Sequence, residues 1–520
     1  RVLFRSMDAG GRLPGSLPTN AKTIYDEGLI IPPVKVLEKG EIQQPVLNLI
    51  FNNMRMPAMN RADMFALIAG CRAGEKRVQE LCDRFGKETY LAACQALLDR
   101  THAAMKTLIN LAIPEVPETF EDYVDDDGLG NGPFKMKLTI WREGDHAFFD
   151  WTGTDPQAMG PVNFYLSEGM FKMFIGVYLI MVNDPQILFN DGFYPLLHIV
   201  LPEGCLLRPR FPSALGCRTH ALARLFDVLG GALTKNAPEL NTAAGYGTSP
   251  YMLYSGWGEK GDFFYAMEIL YGGIPGRPIG DGMDGHSWWP LFENIPTEYL
   301  EAYYPMRIDG YTTVTDSGGP GLHRGGNGVE KRYVYLEPGE VSIHDDRWLT
   351  RPWGVLGGLP GGRSEKILKR VDGSEERLPS KCDEIQVQPG DMLIYRTAGG
   401  GGWKDRLDRP VEAVVRDVAF GLVSPEFAKE GYGVVINADG SADEGATEKE
   451  RERQRTERGD ALSFDYGPPL AEVLANCKAE TGLEPPIPAT PLRWSPLEDG
   501  AEAQRRVREK DNLPGDIVSA

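Results

Sequence analysis

The sequence is short of positive charge: 55 Lys and Arg stand against 74 Asp and Glu, a formal net charge of −19. Displacing the counterions of a nucleic acid requires a surplus of cations. Nucleic acid is therefore excluded as a partner, and an anionic membrane surface with it. Long apolar runs are also missing. The longest, residues 173–182, stops at Asn183-Asp184-Pro185, well below the roughly 20 residues that cross a bilayer. Cysteines are few and show no pattern: the seven, at 71, 82, 94, 205, 217, 382 and 477, have neither metal-knuckle nor redox spacing. Reduced thiols and a cytoplasmic location are the expectation. The glycine runs 318–321, 325–328 and 399–402 lack the dinucleotide fingerprint and the Lys-Ser/Thr of a P-loop. Tight turns between strands are expected there, not phosphate cradles.

What is present is ample material for an α+β protein. At 520 residues with 42% hydrophobic and 25% charged side chains, the chain can bury large cores. Met64, Leu67, Ile68 and Cys71 share one helical face, with Asn60 placed to cap it. Gly86 punctuates, and Leu91, Cys94, Leu98, Met105 and Leu108 resume helical spacing. This predicts a helical hairpin over 60–118. Phe134, Met136, Leu138 and Ile140 alternate with polar residues, 143–145 turns, and Ala147, Phe149 and Trp151 alternate back, which predicts a β-hairpin. Strand-like text recurs through a β-rich multi-strand middle, 119–402, with one helical insertion at 221–233. Residues 403–520 predict a helix at 410–420, a strand at 433–436, a solvated charged helix at 447–458 and a tail that is extended or ordered only by partner contact.

Few residues carry chemistry. His286 follows Asp281-Gly282-Met283-Asp284-Gly285 and precedes Trp288-Trp289-Pro290. An imidazole and a carboxylate on a glycine-hinged loop can move a proton, so His286 and Asp284 are the catalytic candidates. Trp288 and Trp289 offer an apolar wall to a substrate, and Arg324 and the polar-loop Asp155 are the further substrate-binding candidates. Cys217 and His220 meet only if the chain is helical between them, and a cysteine nucleophile there is the lesser reading. His344-Asp345-Asp346-Arg347 mixes ligand types, but neighbouring strand residues face opposite ways.

Several stretches, taken in order, resemble the hydantoinase B family, which includes the B-like half of 5-oxoprolinase and large subunits of acetone and acetophenone carboxylases. They are Asp8-Ala9-Gly10-Gly11 with Pro14-Gly15-Ser16, Glu27-Gly28-Leu29 with Ile31-Pro32-Pro33, and Asn53-Met54-Arg55. Thr152-Gly153-Thr154-Asp155-Pro156-Gln157 follows, then Asp281-Gly282, Asp316-Ser317-Gly318-Gly319, Arg324-Gly325-Gly326-Asn327-Gly328, Pro352-Trp353-Gly354 and Leu378-Pro379-Ser380-Lys381.

The resemblance implies a partner, a hydantoinase A-type subunit with an ATP/Mg site that activates a small-molecule carbonyl by phosphorylation. It also implies a divalent metal, Zn or Mn, held by an N-terminal segment rich in His and Asp. Only Asp8 matches that segment, and one carboxylate cannot hold the ion. Residues 1–59 are accordingly expected to be the remnant of a metal-site domain, with the remaining ligands upstream. Ring-opening hydrolysis of a cyclic amide is the leading expectation. Ketone carboxylation and a non-catalytic subunit that shapes its partner's site stand as alternatives.

Overall fold

Residues 8–287 and 293–514 are described by a computed structural model. After a short helix α1 (Gln44–Phe51), the hairpin forms as α2 (Pro57–Phe85) and α3 (Lys87–Ala112). Gly86 breaks them apart at φ +84°. Helix α2 begins earlier than the pattern predicts, with proline in its first turn. Asn60 therefore lies inside the helix, where its side-chain amide donates to the Asp8 carbonyl at 2.9 Å instead of capping. The near half of the hairpin is core: Met64 and Ile68 pack on Leu47, Ile50 and Phe51, and Met105, Leu108 and Ile109 enter the main core. The far half is an arm exposed on nearly every face, including Val78, Leu81, Phe85 and Leu91.

Gly70 and Gly74 lie on this arm, and a Cβ added at either would meet nothing within 4 Å. Glycine inside an exposed helix costs about 1 kcal/mol relative to alanine. Gly70→Ala and Gly74→Ala are each expected to stabilise α2 by about that amount, read as slower amide exchange along the helix.

The first sheet has the order Glu118–Val124, Phe134–Glu143, His146–Asp150, Leu197–Val200. The first three strands are antiparallel and the last joins in parallel. Phe134, Met136, Leu138 and Ile140 point inward, as their alternation predicts. Helix α5 (Arg218–Asn236) packs on this sheet. A second helix in the middle, α4 (Glu168–Asn183), is absent from the pattern reading. It buries Phe171, Ile175, Tyr178 and Leu179, and a helix apolar on most sides has no stripe to detect.

A four-stranded sheet (Lys381–Val387, Gly339–His344, Tyr251–Trp257, Phe263–Ile269) and a five-stranded sheet (Glu375–Arg377, Glu365–Lys369, Met392–Arg396, Val329–Tyr335, Met306–Thr313) contribute to a second core. Tyr254, Tyr333, Ile343, Leu393 and Tyr395 fill it.

The glycine runs are not chiefly turns. Segments around residues 273–282, 318–328, 354–362 and 399–402 lie against one another backbone to backbone. Gly273 donates to Ala398, Gly400 to Gly326, Gly319 to Gly400 and Gly402 to Leu359, all at 2.8–2.9 Å. Glycine is used here for close approach: a Cβ on Gly326 would sit 1.9 Å from the Met283 carbonyl oxygen, and one on Gly273 1.8 Å from that of Gly326.

At the C-terminal end, the charged helix spans Glu444–Arg458 but is not wholly solvated, since Thr447 and Gln454 are buried. The expected strand at 433–436 is not one. Gly433 terminates the helix Pro425–Tyr432 in left-handed conformation, and only a single bridge joins Ile436 to Ala442. The last sixty residues run along the molecule with two helices, Leu470–Thr481 and Gly500–Lys510. Their order comes from this chain itself. Asp511 pairs with His198, Arg508 with Glu143, and Gln504 donates to Asp150. No described helix is long and apolar enough to cross a membrane.

Candidate functional site

Three elements end at one place. The strand Glu118–Val124 runs into Asp125-Asp126-Asp127, the strand Gly339–His344 runs into Asp345-Asp346-Arg347, and α5 supplies Arg224 and Asp227. Their side chains form a buried ionic network. Arg347 Nη2 lies 2.8 Å from both Asp122 and Asp227. Arg224 reaches Asp346 at 2.9 Å, and Lys381 bridges Asp346 at 2.9 Å and Asp126 at 3.3 Å. Burial raises Asp125 to about 7, helped by the neighbouring Asp346 carboxylate. Burial likewise raises Asp227 to about 6, against the pull of Arg347 and Arg224. Asp122 faces the same burial, but Arg347 and Arg224 overcome it and hold the carboxyl below its usual range. The two acids differ because Asp122 takes both arms of the Arg347 guanidinium, at 2.8 and 3.2 Å, and Asp227 only one.

Of this network the sequence singles out only Asp346 and Arg347, in the stretch 344–347, although signals of the rest were there. Arg224 and Asp227 interrupt an otherwise apolar helix, and three consecutive aspartates directly follow a strand. A cavity of about 340 Å³ opens beside the network, lined in part by Asp122, Tyr123, Thr350, Arg351 and Arg363.

Within electrostatic reach of Lys381, Cys217 occupies the N-cap of α5, so His220 follows within one helical turn. The condition for a thiol–imidazole meeting is thus fulfilled. His344, from the strand end, joins them with Nδ1 3.5 Å from the Cys217 Sγ. All three side chains are buried. Burial pushes the Cys217 thiol well above and His220 well below their ordinary values, and takes His344 down to about 3 with help from Lys381. A neutral thiol facing neutral imidazoles is not an activated nucleophile.

Glu27, from the Glu27-Gly28-Leu29 motif, caps the approach to this cluster. Its Oε1 accepts from the Leu215 and Gly216 amides at 2.6 and 2.5 Å. Burial outweighs those bonds and raises its carboxyl to about 7. An acid whose folded pKa is raised binds more protons when folded, so its stabilising share is full below about 4.5 and is lost as pH climbs through 7. Glu27→Gln should therefore reduce the loss of stability between pH 5 and pH 8, measured by denaturant midpoints. An unchanged pH slope would refute this.

The residues singled out from the sequence fall in separate places. Asp284 binds Arg324 through both guanidinium arms, at 2.8 and 3.2 Å, and accepts from the Asn327 amide at 2.6 Å. Asp281 binds Arg409 in the same way, at 2.7 Å for each arm, and Arg409 continues to Asp417. This charge ladder fastens the loop to the glycine layer. His286 is exposed, with its backbone amide tied to Gly272 at 3.0 Å and its ring Nδ1 3.0 Å from the Ser287 carbonyl. Trp288 and Trp289 lie outside the described residues. Asp155 is engaged in its hairpin, accepting from the Lys135 amide at 2.7 Å.

Asp8 is buried and saturated. It takes Arg55 Nη1 at 2.8 Å and the amides of Arg55, Gly10 and Gly15 at 2.9, 3.4 and 3.3 Å. A divalent ion at Asp8 would have to displace that guanidinium, and among the described residues no group of three potential ligands includes Asp8. The residues described at Asp8 do not fit a metal.

The family model Hydantoinase B/oxoprolinase matches residues 2–406. The caprolactamase beta chain of Pseudomonas jessenii is 31% identical over 463 residues, covering 85% of this chain and 78% of the relative. The putative D-/L-hydantoinase B chain of Pseudomonas sp. (strain NS671) is 30% identical over 448 residues, covering 83% and 74%. The crystal structure of ATP-dependent caprolactamase from Pseudomonas jessenii superposes with a TM-score of 0.74 at 29% identity, covering 86% of this chain and 78% of that one. The nucleotide-free acetone carboxylase gives 0.77 at 20% identity, covering 91% and 69%.

Proposed function

Because the chain belongs to the hydantoinase B/oxoprolinase family, we propose that it is the B-type subunit of an ATP-dependent ring-opening amidohydrolase, acting with an A-type ATP-binding subunit on a cyclic amide. One observation carries this reading: the 31% identity with a caprolactamase beta chain extends through 85% of the chain. The likeness to acetone carboxylase, at 20% identity, is one of fold. Ketone carboxylation is therefore the second reading. ATP belongs to the partner on this view, since the glycine runs of this chain are packed backbone and offer no phosphate cradle. A Zn or Mn ion belonging to the activity would need ligands other than those described around Asp8.

Within the assembled enzyme, the loop 281–286 would face the substrate. Asp284 is committed to Arg324 and so fixes the loop, whereas the exposed His286 ring can approach a reacting atom and move a proton. In the complex, His286→Ala is expected to lower kcat by about 10²-fold or more, as for a lost general acid or base, and to leave assembly intact. Assembly lost together with activity would make the loop a subunit contact instead. The reading as a whole is tested by co-purifying the two subunits and measuring ATP hydrolysis over lactams, hydantoins, 5-oxoproline and ketones, with and without bicarbonate. Turnover of a lactam, hydantoin or oxoproline without bicarbonate supports hydrolysis. Ketone turnover that requires bicarbonate overturns it. ATP turnover that does not need this chain leaves it a non-catalytic subunit.

A further inference from the structure

We propose that Cys217, His220 and His344 form a buried centre for a divalent ion of the zinc class, separate from Asp8 and from the loop 281–286. One potential ligand atom from each side chain lies within 4.8 Å of the others. A tetrahedral zinc site, with Zn–N near 2.1 Å and Zn–S near 2.3 Å, sets its ligand atoms about 3.3–3.8 Å apart, so closing the group on an ion takes shifts of about 1 Å. The Cys217–His344 pair, at 3.5 Å, already has that spacing.

The second observation is the state of the imidazoles. His220 Nδ1 is held by the Thr248 hydroxyl at 2.8 Å, the outer hydrogen bond that orients a ligating histidine. Its Nε2 is buried and has no hydrogen-bond partner, while His344 turns its Nδ1 toward the thiol. Buried polar atoms are nearly always satisfied, and an orphaned imidazole nitrogen clustered with a thiol and a second imidazole is accounted for by a shared ion. A Cys-His-His set suits a borderline-soft ion better than Mg²⁺ or Ca²⁺, which take oxygen ligands.

Charge allows it. The Cys217 thiol proton leaves to solvent as the thiolate–metal bond forms. The Lys381 ammonium opposes the ion, while the Glu27, Asp383 and Asp126 carboxylates, which also act on the Cys217 sulfur, favour it. With all three side chains buried, the ion would brace α5 against the strand Gly339–His344.

The chain is produced in zinc-depleted medium supplemented with cobalt(II). About one equivalent of cobalt is expected, with the ligand-field bands of a four-coordinate ion and a thiolate-to-cobalt charge-transfer band in the near ultraviolet. Cys217→Ser should abolish the charge-transfer band, His344→Gln should release the cobalt on dialysis, and Asp8→Asn should leave both signals in place. A folded wild-type chain without the charge-transfer band overturns the proposal. So does a band that survives in Cys217→Ser. If that variant does not fold, a folded His344→Gln chain that keeps the band has the same force. Catalysis is not read in this experiment, so its failure would leave the amidohydrolase assignment standing.

Discussion

Arg347→Met is expected to lower the unfolding free energy by about 3–5 kcal/mol, the range for removing one partner from a buried ion pair. The Arg347 side chain has no exposed surface and binds Asp122 and Asp227, each itself almost wholly buried. Burial disfavours its charge, but the two carboxylates outweigh that and hold the guanidinium above its ordinary range. Methionine fills much of the volume and leaves both acids without their closest cation. They must then stay ionised at high cost or take up protons. The loss should therefore be largest at pH 8 and shrink toward pH 5, as protonation relieves the stranded acids. Adding Asp122→Asn to Arg347→Met should restore part of the loss, because the amide carries no charge to strand. Denaturant midpoints of the two single variants and the double variant give the coupling. A single-variant loss below about 1 kcal/mol would show that water reaches the network and screens it.

The second large effect is expected from one added methyl group. Gly326→Ala puts a carbon 1.9 Å from the Met283 carbonyl oxygen, 2.5 Å from that residue's carbonyl carbon and 3.0 Å from the Ile274 amide. Each obstacle is backbone, so no rotamer change relieves the clash, and separating the strands would break the bonds that join Gly326 to Ile274 and to Gly400, 2.7 and 2.9 Å long. Overpacking of this kind costs about 3 kcal/mol or more. Gly273→Ala should behave alike, with its methyl 1.8 Å from the Gly326 carbonyl oxygen. Gly373→Ala is the control. It meets nothing within 4 Å and carries only the penalty of φ +86°, about 1–2 kcal/mol. If soluble yield and denaturant midpoint of Gly326→Ala match those of Gly373→Ala, the glycine layer is looser than its geometry shows.

Elements with a one-sided pattern were legible in the sequence. The alternation from Phe134 to Ile140 and the spacing of Met105 and Leu108 in α3 each declare a buried face, and both behave as read. Helix α4 was not legible, because a segment apolar on nearly every side has no polar face to give its period away. The glycine layer was misread for a related reason: a run of glycines has the same composition whether it turns or packs. Sites followed the same division. Asp8 and Arg324 stand out in family motifs, and Asp155 and the His286 loop by their local chemistry, all within short stretches of the sequence. The ionic network and the Cys217–His220–His344 cluster are built across 120 residues or more, as between Arg347 and Asp227 or Cys217 and His344. The local spacing of Cys217 and His220 hints at one half of the cluster, but which strand ends join it depends on the topology.

The way the chain's end is fastened also bears on its synthesis. His198, at the edge of the first sheet, waits 313 residues for Asp511, and Asp150 waits 354 for Gln504. At elongation rates of about 5–20 residues per second, that interval is roughly 15–70 s. Throughout it, the surface at Val200 that Ala503 and Val507 later cover stands open on the ribosome. Residues 500–511 thus help close the first sheet, and truncation before residue 500 is expected to leave that sheet the part most prone to aggregate.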